Sequence, residues 1–134
     1  MERFVNQDFV IQEHVVSDNN IHLDLRIKRF DRDCLESFVI PRQNFPINKQ
    51  KFLALKMNNH NLSFLDIKGF DGKGSLYSGK IKTIQRGKLG VFSWTNNNIL
   101  FIIFDKQFKG EYLLSRMKSE KTSDFNKWIL LKKN

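Results

Sequence analysis

From Ile21 to Ile27 apolar and polar residues alternate without a break, Ile21, Leu23, Leu25 and Ile27 on one face of an extended chain and His22, Asp24 and Arg26 on the other. Short runs rich in β-branched and aromatic residues recur along the whole sequence, broken by Asn, Asp, Gly and Pro. No window longer than about ten residues keeps the i, i+3, i+4 apolar spacing of a helix. Strands are expected over Phe9 to Val16, Ile21 to Phe30, Glu36 to Ile40, Lys51 to Asn58, Tyr77 to Gln85, Gly90 to Trp94, Ile99 to Asp105, Glu111 to Met117 and Lys127 to Lys132. Ser17 to Asn20, Asp31 to Asp33, Arg86-Gly87, Thr95 to Asn98 and Lys109-Gly110 supply turn chemistry between them. The expectation is an all-β fold, a single small β-barrel of about eight strands joined by hairpins. In the strand from Lys51, Leu53, Leu55 and Met57 read as its core face.

Length and composition sharpen this picture. With 134 residues, thirteen Phe, two Trp, two Tyr and only two Pro, the chain has the aromatics to offset its ordering entropy and is expected to form one domain over 1–134. There is no fixed-period repeat. Residues Met1 to Asp8 lack an apolar core of signal-peptide length, and no window approaches the ~18 apolar residues of a spanning helix, so a soluble, cytoplasmic protein without a membrane partner is expected. Cys34 has no partner cysteine and reads as an incidental small hydrophobe. The formal charge of +9 favours polyphosphates, nucleic acid or an anionic surface and does not choose among them.

Candidate chemistry begins at the alternating strand. By itself, the face bearing His22, Asp24 and Arg26 reads as the solvated side of a half-buried strand. The preceding strand changes that. His14 and His22 are eight residues apart, an even number. Pairing Val16 with Asn20 around a three-residue Ser17-Asp18-Asn19 loop, with Asn19 left-handed, places the two imidazoles opposite each other. Two neutral imidazoles and one carboxylate suit a divalent ion of the Mn, Fe or Zn kind with positions left open. Arg26, one pleat along, is placed to grip a phosphate oxygen. His60, at the end of a strand, is by itself unremarkable.

The string Phe9-Val10-Ile11-Gln12-Glu13-His14, followed by His22-x-Asp24-x-Arg26, resembles the opening signature of the 3′-phosphoesterase module of bacterial DNA ligase D and its free-standing archaeal homologues. The similarity continues through Ser37 to Arg42, through His60 with Gly69 nine residues later, through the Gly74 to Gly79 turn, and ends with Leu113 to Met117 and Trp128 to Lys132. All three His fall where that family places functional His. The resemblance implies that His14, His22 and Asp24 hold a catalytic Mn2+, with Zn2+ and Co2+ as alternatives, and that Arg26 and His60 contact the scissile phosphate, with His22, Arg26 and His60 catalytic. It implies trimming of a ribonucleotide-ended strand and removal of the resulting 3′-phosphate, in DNA repair, with nucleic acid 3′ ends as partners alongside a separately encoded ligase and polymerase.

Several positions depart from the pattern. The His14 to His22 spacing is two residues longer than usual, and the arm preceding the first strand is absent or shortened. Phe64 stands where the family has Tyr, and Asn58 and Ser75 stand where it has acids. A catalytically degenerate module that binds nucleic acid ends is therefore the alternative, and a facial triad of His22, Asp24 and His60, as in Fe(II) oxygenases, is a third reading. Gly69, Gly72, Gly74 and Gly79 read as a flexible barrel loop, since no Gly-Lys-Ser/Thr follows. Lys80, Lys82, Arg86 and Lys88 read as either a phosphate track or a solvated face. Trp94 and Trp128 read as core in preference to base-stacking groups.

Overall fold

The computed structural model describes residues 3–67, 69–71 and 79–134. Nine strands follow in order: β1 (Val5–Ser17), β2 (Asn20–Lys28), β3 (Leu35–Ile40), β4 (Lys51–His60), β5 (Gly69–Asp71), β6 (Lys80–Trp94), β7 (Asn98–Ile103), β8 (Gly110–Arg116) and β9 (Lys127–Lys132). Short 3-10 turns occupy Leu62–Asp66 and Thr122–Asp124. The strands lie in the order β1-β2-β3-β4-β9-β8-β7-β6-β5, and an additional β1–β6 pairing closes eight of them into an antiparallel barrel. Closure leaves no long unpaired edge among the eight. No helix among the described residues is long and apolar enough to cross a membrane.

Alternation decides what goes inside. Phe9 and Ile11 of β1, Leu23, Leu25 and Ile27 of β2, Phe38 and Ile40 of β3, Phe101 of β7 and Trp128 of β9 all join one buried cluster. Each large apolar side chain so buried contributes roughly 1.5–3 kcal/mol. Phe101 stacks on Tyr112, ring centroids 5.3 Å apart. Both Trp residues belong to the core, Trp128 within it and Trp94 packed against it.

Three sequence expectations change. Arg86-Gly87 is not a turn: β6 runs unbroken from Lys80 to Trp94, with Gly87 paired to Phe9. The expected strand's Tyr77, like Gly72, Gly74 and Ser75, lies outside the described residues. In β4 the buried residues are Phe52 and Ala54, so Leu53 and Met57 sit on the outer face, 36% and 44% exposed. The run Phe52-Leu53-Ala54-Leu55 is apolar on both faces, so periodicity alone leaves its facing undecided. The basic track is also broken. A register shift between Ile11 and Gln12 changes parity along β6, so that Lys82 pairs with Glu13 while Arg86 pairs with Val10. Paired residues share a face, and Val10 and Glu13 lie on opposite ones.

Candidate metal centre

Three cross-strand rows on the outer face of the barrel build the site. Ile81, His14 and His22 form the first, on β6, β1 and β2. Thr83, Gln12, Asp24, Val39 and Leu55 form the second, and Arg86, Val10, Arg26, Ser37 and Met57 the third. Side chains directly opposite in an antiparallel pair lie on one face within reach of each other. The β1–β2 hairpin is tighter than expected: Ser17 pairs with Asn20, the irregularity falls at Val16, and Asn19 is not left-handed. The His14 to His22 pairing is as the parity argument requires.

This face is not a solvated one. Asp24 is 2% and Arg26 4% exposed: the connection after β4 lies over Arg26, with Phe64 against its guanidinium, and His14, His22 and Arg26 surround Asp24. Leu62, Phe64 and Leu65 pack against Val10 and Leu35 as a second, smaller core. The connection is fastened at several points: Gln12 Nε2 donates to Phe64 O at 3.0 Å, Arg86 Nε to Leu65 O at 2.7 Å, and Thr83 Oγ1 to Ile67 O. Asn61 caps the 3-10 turn by accepting from Ser63 N–H.

Arg26 joins the two halves of the site. Its guanidinium donates to Asp24 Oδ2 at 3.1 Å, Gln12 Oε1 at 2.9 Å and Ser37 Oγ at 2.9 Å, and it lies over the Phe64 ring at 5.0 Å. Ser37 Oγ in turn meets His60 Nδ1 at 2.9 Å, and the same nitrogen meets Asn58 O at 2.9 Å. Phe64 places its ring edge-on to His60, centroids 4.7 Å apart. Burial, and then the nearby Arg26 charge, hold the His60 pKa below the usual imidazole value. Its imidazole is therefore favoured in the neutral form near neutral pH.

The donor atoms of His14, His22 and Asp24 all lie within 4.8 Å of one another. His22 Nε2 stands 3.3 Å from Asp24 Oδ1, and His14 Nδ1 stands 3.9 Å from Asp24 Oδ2. Ligands at metal bonds of about 2.0–2.2 Å sit roughly 3–3.5 Å apart, so a small closing motion brings all three onto one ion. The chemistry of the set fits as well: two imidazoles and a carboxylate suit Mn, Fe or Zn. The Arg26 bond to Asp24 fixes the carboxylate's orientation, as outer partners of metal ligands do. Among the described residues this is the group whose spacing would hold a metal ion. His60 is not in it, so the alternative triad of His22, Asp24 and His60 is not assembled.

His14, His22, Asp24, Arg26 and His60 line one pocket of about 250 Å3 together with Val39, Met57 and Ile81. Two larger depressions, of about 480 Å3 beside Arg116 and Phe125 and about 350 Å3 between Phe45 and Phe108, contain none of these residues. Gln12 and Ser37, to which motif reading assigns no role, are bonded into the same cluster. Both are buried, at 0% and 1% exposure, and both share the parity of His14 and Arg26 in the paired strands. Ser75, one of the departures from the family pattern, lies outside the described residues. No family model matches the sequence, and no curated protein matches it either.

Proposed function

We propose that this barrel is a metal-dependent phosphoesterase that processes the 3′ ends of nucleic acid strands in DNA repair, with Mn2+ as its ion. The observation that carries the reading is the single pocket in which a donor set of two imidazoles and a carboxylate faces Arg26 and His60. An ion held by His14, His22 and Asp24 would supply Lewis acidity toward a phosphoryl oxygen. Arg26 orients Asp24 through Nη2 and carries fixed positive charge at the pocket wall, where charge develops on the phosphoryl oxygens. His60, whose pKa burial and Arg26 hold below the usual imidazole value, gains a stabilising partner for its protonated form when a phosphate anion enters. Water adds across the terminal phosphodiester, releasing a nucleoside and leaving a 3′-phosphate. A second water then cleaves that monoester to a 3′-hydroxyl and inorganic phosphate. The +9 charge of the chain attracts the polyanionic substrate.

Two observations favour a second reading, that the protein binds such ends without turnover. Phe64 brings a ring but no hydroxyl to His60 and Arg26, and Asn58 meets His60 through its backbone carbonyl. The two readings separate on a labelled primer-template ending in one ribonucleotide, incubated with metal-stripped protein plus Mn2+, Zn2+, Mg2+ or no ion. Metal-dependent shortening that His22→Ala and His60→Ala abolish supports the phosphoesterase. Tight binding of the end with no shortening under any ion supports the end-binding module, and neither binding nor shortening removes both.

A further inference from the structure

The pocket has a second character that its ionisable groups hide. Asp24 and Arg26 are nearly sealed and bonded to each other, while what the pocket exposes is mostly hydrocarbon. That hydrocarbon comes from defined register positions. Val39 is the direct neighbour of Asp24 on β3, and Met57 is the direct neighbour of Ser37 on β4, the serine that touches both Arg26 and His60. Met57 is 44% exposed, Val39 is half-buried, and Ile81 closes the far side beside His14.

Exposed hydrocarbon beside a charged cluster does nothing for an inorganic anion, which prefers water or further donors. A flat organic group attached to the phosphate gains by covering it. Methionine adapts its shape and makes favourable sulfur contacts with aromatic rings. The cavity of about 250 Å3 equals roughly eight times the ~30 Å3 that one water occupies in the liquid. That is more room than a phosphate alone needs.

We infer that Val39 and Met57 form an apolar wall that packs against the terminal nucleoside, so that the pocket selects a phosphate carried on a nucleoside over a bare phosphate. The assignment rests on the phosphoesterase reading for its phosphate half and on the β3–β4 outer face for its nucleoside half. Val39 and Met57 bring only hydrocarbon to the pocket, with no metal-ligating or phosphate-binding atom, and their role is to set which ester enters.

The test uses the full-length, metal-free protein with methyl-labelled Met and Val, titrated separately with inorganic phosphate, adenosine and adenosine 3′-monophosphate and followed by NMR. The nucleotide should bind at least tenfold more tightly than phosphate and shift the Met57 and Val39 methyl signals. Met57→Gln and Val39→Thr should each reduce nucleotide affinity severalfold toward that of phosphate and leave phosphate affinity unchanged. Equal affinity for nucleotide and phosphate, or nucleotide affinity unmoved by both substitutions, overturns the inference while phosphate binding keeps the phosphoesterase reading. Adenosine shifting the two methyl signals with no phosphate binding to the metal-free protein supports the wall and assigns phosphate capture to the ion.

Discussion

Replacing Arg26 by Met keeps most of the side chain's length and removes its charge and all its donors. Three bonds are lost together, to Asp24, Gln12 and Ser37, at 2.9–3.1 Å. The largest consequence falls on Asp24, which is 2% exposed and loses its buried cation. Breaking a buried ion pair from one side costs about 3–5 kcal/mol, because the remaining charge is uncompensated. The stranded Gln12 oxygen adds up to about 1–3 kcal/mol, reduced where water enters, while Ser37 Oγ keeps its contact with His60. A net loss of about 4 kcal/mol is expected for the metal-free protein, a large share of the roughly 5–15 kcal/mol that holds a domain of this kind together. Adding Asp24→Asn removes the stranded charge and should restore about 2 kcal/mol, so the two changes are strongly non-additive. Urea unfolding of the wild type, both single variants and the double variant measures each term. A single-variant loss under about 1 kcal/mol, or an Asp24→Asn addition that gives no relief, would refute the idea that this guanidinium holds the site together.

Other expected outcomes follow from single features. Because the folded state holds the His60 pKa below its ordinary value, the unfolded chain binds more protons in the window below about pH 6.5. This contribution to stability is therefore present above that pH and is lost as pH falls through the folded pKa. Urea midpoints should drop on acidification over that range, and the slope should flatten in His60→Gln; an unchanged slope contradicts the assignment. Phe101→Ala, at a site with 0% exposure, should cost about 3–5 kcal/mol in the same unfolding assay. Phe64→Tyr places a hydroxyl beside His60 and Arg26 and should raise removal of a terminal 3′-phosphate relative to the wild type; wild-type release already high and unmoved by the change would count against the role given to this position.

The barrel was legible because alternation is a local property. The strand from Ile21 to Ile27 carries its facing in its own residues, and even spacing was enough to bring His14 opposite His22. What was illegible depended on partners far along the chain. β6 reads as two strands because Arg86-Gly87 has turn chemistry, yet pairing with β1 from Val5 to Val15 holds it extended. The same pairing inserts the bulge that sends Lys82 and Arg86 to opposite faces, which no window of β6 alone reveals. β4 misled through its two-sided apolar run, since only β3 and β9 decide which side is core. At the site, the charged members were visible as residue types. Gln12 and Ser37 were not, because an amide and a hydroxyl acquire meaning only when burial leaves them a single set of partners.

The most direct test of the account is a calorimetric titration of the metal-stripped protein with Mn2+. One ion should bind per chain, with binding lost in His14→Ala and His22→Ala and retained in His60→Ala, and at an ion concentration 100 times the Kd the protein should gain about 2.7 kcal/mol of stability. No saturable binding of Mn2+, Zn2+ or Co2+, or binding that survives both His14→Ala and His22→Ala, would contradict it.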